Sequence, residues 1–368
     1  MPVGSQITIA QSDSIKYKIT GFDAQKYFEL QKSKIIERIQ KFHNSRLYLE
    51  IGGKFLFDAH ASRVLPGFDP RVKEKIFTDL QNIAEVIFCV NFHDIVSNRQ
   101  LSNTEKKYAD TALQLVNEIY LKIGIRPKIV VNLCPRKKNS ILKKFKEKAS
   151  ALKFEVFCRF LITGYPHATK ILSQMGFGAD EPIPLKKNLI LVTGAASSSG
   201  KMSTCLGQIF LDFKKGIECG YAKFETFPIW NLPLMHPVNL AYEAATADIG
   251  DFNSIDQRHK KATGVEAVNY NRDIEAFEIV MKIARKILPP HNFMHSYRSP
   301  TEMGINSAGL AITNDEIVSR ASLQEIKRRK NWYAEITTRS KCSIAVVKKC
   351  VHLEKQAHQY LTEKGYLF

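Results

Sequence analysis

Short apolar runs alternate with amphipathic stretches through most of this chain. That alternation narrows the fold more than any single motif. Runs at 47–51, 84–91, 128–133 and 154–160 are rich in β-branched and aromatic residues, the pattern of buried strands. Between and around them lie helical patterns. Residues 22–43 put Phe28, Ile35, Ile39 and Phe42 on one face, and 71–81 follow Pro70. Residues 104–123 align Leu113, Val116, Ile119 and Ile123, and 139–150 are helical and strongly basic. Strands alternating with helices of this length make a mainly parallel sheet covered on both faces.

The pattern breaks at 174–188, which holds Gly176, Gly178, Pro182 and Pro184 without periodicity and reads as a linker. It then restarts with a strand at 189–192, a helix at 201–215 and a strand at 217–224. A helix at 273–288 stops at Pro289-Pro290. Residues 226–272, rich in Pro, Asn and Thr, carry short helices but no clear assignment, and 315–362 read as mostly helical and basic. The expected fold is α/β, with two tandem Rossmann-like or P-loop-like units and a helical C-terminal tail. The expected boundaries are 1–173 for the first unit, 174–188 for the linker, 189–314 for the second unit and 315–368 for the basic helical segment.

The formal charge of +18 invites a nucleic-acid reading, but its distribution argues against one. Residues 122–153 carry net +10 and 320–368 net +7, while 1–121 carry +2 and 154–319 carry −1. Lysines on the 136–148 helix suit a solvated face. The apolar runs are too short to cross a bilayer, and the N-terminus lacks a secretory pattern. Seven scattered cysteines without a C-x-x-C pair suit reduced thiols in a cytoplasm-like compartment.

The sharpest chemical signal is LILVTGAASSSGKMST at 189–204. A buried strand runs into small residues, then Gly-Lys, then a helix, so backbone N–H groups can converge on phosphate oxygens. From Ala195 the spacing fits a Walker A loop, but Met202 stands where Ser or Thr would hold Mg²⁺. The competing reading is a turn that needs small residues only for packing. Thr193, Gly194, Ser197, Ser198, Ser199, Gly200 and Lys201 are the candidate phosphate binders, with Ser203 and Thr204 one and two positions late for Mg²⁺.

A second polar concentration runs over 223–248, with Lys223, Glu225, Thr226, His236, Asn239, Glu243, Thr246 and Asp248 among three prolines. Lys223 and Glu225 alternate with Phe224, so one strand face can present both. Arg272 and Arg298 are candidate anion clamps, while Asp273 suits a helix cap as well as chemistry. A Gly52-Gly53-Lys54 turn offers a second anion site, followed by Asp58, His60 and Arg63. His60 reads as a packed histidine. No Glu-x-x-His or C-x-x-C spacing and no G-x-S-x-G elbow occurs.

Several of these segments closely resemble the uncharacterised bacterial family known as domain of unknown function 1846. They are LYLEIGGKFLFDAHASRVLPGFDP, TGYPHATKILSQMGFGAD, the loop of the 190s, YAKFETFPIWNLPLMHPVNLAYEAATAD, AVNYNRDIEAF and SPTEMGIN. The resemblance runs in order over residues 18–325. It implies a bacterial, cytoplasmic, homo-oligomeric α/β protein with a glycine-rich loop like that of nucleotide-binding proteins, and it implies no established reaction. The chain departs from the family in its Ala/Ser-rich loop and in a shorter, basic C-terminus.

The functional expectation is binding of a nucleotide or other phosphorylated small molecule at 194–204. The reaction would be phosphoryl transfer or hydrolysis, with Mg²⁺ and ATP or GTP as cofactors. Lys201 and the loop N–H groups would bind phosphate, aided by Lys223, Arg272 or Arg298. Glu225, Glu243 or Asp248 would coordinate metal or orient the nucleophile. The alternative is a non-catalytic binding or assembly protein, a truncated relative without activity. No membrane contact is expected.

Overall fold

The computed structural model describes residues 19–43, 45–99, 107–196, 198–338 and 342–366. Its strands in chain order are β1 Arg46–Ile51, β2 Ala84–Asn91, β3 Lys128–Cys134, β4 Val156–Phe160 and β5 Leu189–Gly194. They continue with β6 Cys219–Phe224, β7 Asn253–Ile255, β8 Val268–Tyr270 and β9 Gly304–Ile305. Seven of them form one sheet in the order β4-β3-β2-β5-β1-β6-β9, while β7 and β8 form a separate pair. Every pairing in the large sheet is parallel. β1 and β6 are buried along their whole length, as strands covered on both faces must be.

The α/β class, the parallel sheet and the C-terminal helices agree with the sequence pattern. The division of strands is a finding. Strands from both expected units lie in this single sheet, because β5 sits between β1 and β2. Leu189 is in register with Leu47 on one side and Ala84 on the other. Periodicity reports which face a residue takes, but it carries no information on which strand is its neighbour. Segment 174–188 is also bound closely to β4. Its Asp180 takes the Arg159 guanidinium at 2.9 and 2.8 Å and the Phe160 N–H, and Glu181 accepts from Cys158 N–H.

Flanking helices follow the amphipathic patterns. Ala24–Lys41 buries Tyr27, Ile35 and Ile39 and is capped by Asp23. Tyr108–Ile123 ends at Gly124 in the left-handed conformation. The basic helix Ser140–Ala151 buries only Phe145 and Ala149. Its Lys143, Lys146 and Lys148 face Glu147, Glu181 and Asp110, so its charge is that of a solvated face. At the C-terminus, Asp315–Thr338 and Ile344–Glu363 pack on each other and on the helix Pro237–Ala245. No described helix is long and apolar enough to cross a membrane.

Candidate functional site

Neighbouring strands whose following connections run to opposite sides leave a crevice at their carboxyl ends. β1 leads to β2 on one side of the sheet, and β6 leads to β9 on the other. At the carboxyl ends of β1, β5 and β6 lies a cavity of about 500 Å³, large enough for a small organic ligand.

One wall is the loop after β5. Ser198 and Gly200 both adopt left-handed backbone conformations, with φ of +62° and +86°. The turn ends in the helix Lys201–Phe213, whose N-cap Gly200 offers no side-chain cap. A Cβ on Gly200 would sit 2.7 Å from the Asn132 side chain, so glycine is required there by both φ and space. Ser198, Ser199, Gly200, Lys201 and Ser203 all line the cavity. Ser199 is buried and its Oγ has no hydrogen-bond partner among the described residues. A buried unpaired hydroxyl calls for a partner from elsewhere.

The floor is a buried charged cluster. Period-two alternation along β6 and its exit puts Tyr221, Lys223 and Glu225 on one face. Tyr221 Oη donates to Glu50 Oε2 at 2.7 Å. Lys223 Nζ donates to Tyr270 Oη at 2.6 Å and to Asp273, and lies 3.1 Å from Glu225 Oε1. Burial opposes the Lys223 charge, but Asp273, Tyr270 and Glu225 around it hold the ammonium well above its usual range. Burial, with the neighbouring Asp273 carboxylate, pushes Glu225 well above the usual carboxyl range against the pull of Lys223. Apart from the Lys223 ammonium beside Glu225 Oε1, neither that oxygen nor Asp273 Oδ1, both buried, meets a donor among the described residues.

Glu225 also lines a second cavity of about 280 Å³ beside Lys34, Arg38, His259 and Glu302. One carboxyl is therefore part of the wall between two chambers.

Further groups complete the main cavity. Lys73 Nζ is buried and saturated by Gly52 O, Lys54 O and Asp58 Oδ2 at 3.2, 2.9 and 3.1 Å. It fixes the Gly52-Gly53 turn, where Gly53 has φ +64°. Phe227 stacks on Tyr242 with ring centroids 5.9 Å apart. His60 on the cavity wall offers Nδ1 to Glu325 at 3.2 Å, and its Nε2 has no partner among the described residues. Arg272 bonds Asp251 at 2.6 Å and Ile249 O at 2.9 Å. Arg329, from the C-terminal region, reaches the same cavity.

The structure thus brings Ser198, Ser199, Gly200, Lys201, Ser203, Lys223, Glu225 and Arg272 to one cavity. Others fall elsewhere. Ser197 lies outside the described residues. Thr193 and Gly194 sit within β5. Thr204 is fully buried beneath the loop, bonded to Gly200 O, Asn132 and Arg159. Ser203, although on the cavity wall, accepts from the Arg159 guanidinium. Glu243 accepts from Asn253 N–H and pairs with Lys349, and Asp248 accepts from Tyr333 Oη. Arg298 is spent on Glu302 and Ala262 O.

The sequence reading missed Lys73, Tyr270 and the role of Asp273 in the cluster. A signal for Lys73 existed, since it lies on the buried face of Val72–Asp79 with Phe77 four residues on. Asp273 was masked by its position in the first turn of Asn271–Ile287, where an acidic residue is expected anyway.

A parallel sheet with a polar cavity at its carboxyl edge defines an open α/β architecture. The chain belongs to the family described as "Domain of unknown function DUF1846, N-terminal", whose model matches residues 20–358. It is 42% identical over 311 residues to a UPF0371 protein of Corynebacterium urealyticum, covering 84% of this chain and 61% of that one. A UPF0371 protein of Streptococcus equi is 40% identical over 316 residues, covering 85% and 62%. One from Fusobacterium nucleatum is 41% identical over 313 residues, covering 84% and 60%. The chain spans about three fifths of the length of these curated relatives.

Proposed function

We propose that this chain binds a phosphorylated small molecule, nucleotides included, with its phosphate against the 198–203 loop. We further propose that it acts on that molecule by phosphoryl transfer or hydrolysis. One observation carries the reading: the uncapped start of a thirteen-residue helix, with Lys201 and the unpartnered Ser199 hydroxyl, opens on the same cavity as the Lys223–Glu225–Asp273 cluster. Helix N-termini favour anions through their N–H groups and dipole. In the same cavity, a protonated Glu225 beside the Lys223 ammonium suits general acid work on a leaving oxygen.

The residues after Gly200 do not fit a Walker-type Mg²⁺ site. Residue 202 is Met, Ser203 faces a guanidinium and Thr204 is committed to backbone and Asn132. Among the described residues no group of three His, Cys, Asp or Glu side chains converges. No step is therefore routed through a resident metal ion.

Calorimetric titration with pyrophosphate, ATP and GTP, with and without Mg²⁺, tests the binding. Lys201→Ala removes one charge-assisted contact, worth about 1.5–3 kcal/mol, so affinity is expected to fall about tenfold or more. Equal affinity in the variant, or no binding to the wild type, overturns the proposal. Phosphate release in Glu225→Gln is expected to drop about a hundredfold or more. Binding that survives without any turnover in the wild type removes the catalytic half.

A further inference from the structure

The main cavity is not uniform, and its gradient says more about the ligand. Two helices form its flanks. Lys201–Phe213 presents Lys201 at its start, then Met202 and Leu206 four residues apart on one face. Asn271–Ile287 presents Arg272 at its start, then Ala276, Ile279 and Ile283 at spacings of four, three and four. Both helices thus begin with a basic residue, Lys201 on one and on the other Arg272, which is paired with Asp251, and both become apolar along the cavity. At about 1.5 Å per residue, Arg272 to Ile283 covers roughly 16 Å. Phe177, itself buried, lines the cavity too, and none of these apolar side chains brings a hydrogen-bonding group.

We infer that the ligand is a phosphate ester with an apolar far end, seated with its phosphate at the Lys201 helix start and its apolar group in the trough between the two helices. This deepens the phosphate reading above and rests on it. It also gives Met202 a purpose. The residue that departs from the Walker pattern becomes part of the apolar surface. A free inorganic phosphate or a phosphorylated sugar leaves that surface wet. The shared chemistry is an anionic head and an apolar end, which a flat nucleobase or an aliphatic chain both supply.

The test compares four probes by calorimetry on the full chain: pyrophosphate, ribose 5-phosphate, AMP and a prenyl monophosphate. AMP or the prenyl ester, or both, is expected to bind at least about tenfold tighter than ribose 5-phosphate, as burial of an apolar group of that size requires. The tighter of the two identifies the source. Ile279→Glu and Ala276→Trp are expected to erase that advantage while leaving pyrophosphate within about threefold, which also reports that the variants are folded. Ile279 and Ala276 are only partly buried, so both tolerate change. If all four probes bind alike, or the variants leave the ranking intact, the trough is not a ligand site and the phosphate proposal stands. If pyrophosphate and the rest all fail to bind, both readings fall.

Discussion

A chain ending at residue 173 is expected not to fold. The first unit looks complete by its periodicity, but β1 and β2 are not neighbours. Removing everything after 173 takes away β5, which pairs with both, and β6, which pairs with β1 on its other side. β1 would keep no partner strand at all, although all six of its residues are buried. Arg46 would lose Asp212, 2.6 Å away, and Glu50 would lose Tyr221. Unpaired buried backbone groups cost of order 1–3 kcal/mol each, which exceeds the net stability of a typical domain within a few residues. Circular dichroism and gel filtration check this. The expected result is no cooperative melting, against a cooperative transition in the full chain. A monomeric fragment with a sharp transition would mean that β1 and β2 can pair directly.

The second large effect is expected at Glu325. Its carboxylate is buried and bonded to His60, Arg63, Arg328 and Arg329. This one carboxylate ties the C-terminal helices to the cavity wall. Glu325→Leu leaves four basic groups without their shared anion, a change worth roughly 3 kcal/mol because the cations keep some access to solvent. Chemical denaturation should show the unfolding free energy falling by that amount, and a loss below about 0.5 kcal/mol would overturn the expectation.

The same residue sets a pH signature. Burial works against its charge, but hydrogen bonds from Arg328, His60 and Arg63 hold Glu325 well below the usual carboxylate range. Asp58, held down by Lys73 and His60 despite burial, behaves alike. Both have folded values below their unfolded ones. Their contribution is complete above about pH 4.5 and is lost as pH falls toward the folded value. Glu225 has the opposite sign, since its raised value costs stability as pH rises above about 4.5. Acid unfolding should therefore be shallower in Glu325→Leu than in the wild type.

Much of this was legible in the residues. The strands of β1, β2, β3 and β6, the β5–loop–helix unit and the pairing of Lys223 with Glu225 all follow from local periodicity, because each depends on which face a residue takes. Strand order was not legible, since nothing in Leu189–Gly194 states that it enters between strands more than a hundred residues earlier. The segment 226–272 was obscure because its elements are short. Pro237–Ala245 has nine residues and β7 and β8 three each, too few for a period to emerge. Glu243 and Asp248 looked chemical because they sit in a dense polar segment. The structure gives them to Lys349 and Tyr333 of the C-terminal helices, partners that no local spacing reveals.

The position of Glu225 between two chambers has a thermodynamic consequence. Whatever occupies either chamber acts on the same proton. At a pH where that carboxyl titrates, an anion in the smaller chamber would strengthen the hold of Glu225 on its proton, and the neutral carboxyl would repel an anion in the larger chamber less than the charged one. Linkage is reciprocal, so within that pH range an anion in either chamber would favour one in the other through this carboxyl. One titrating group is enough to couple them, without any movement of the sheet.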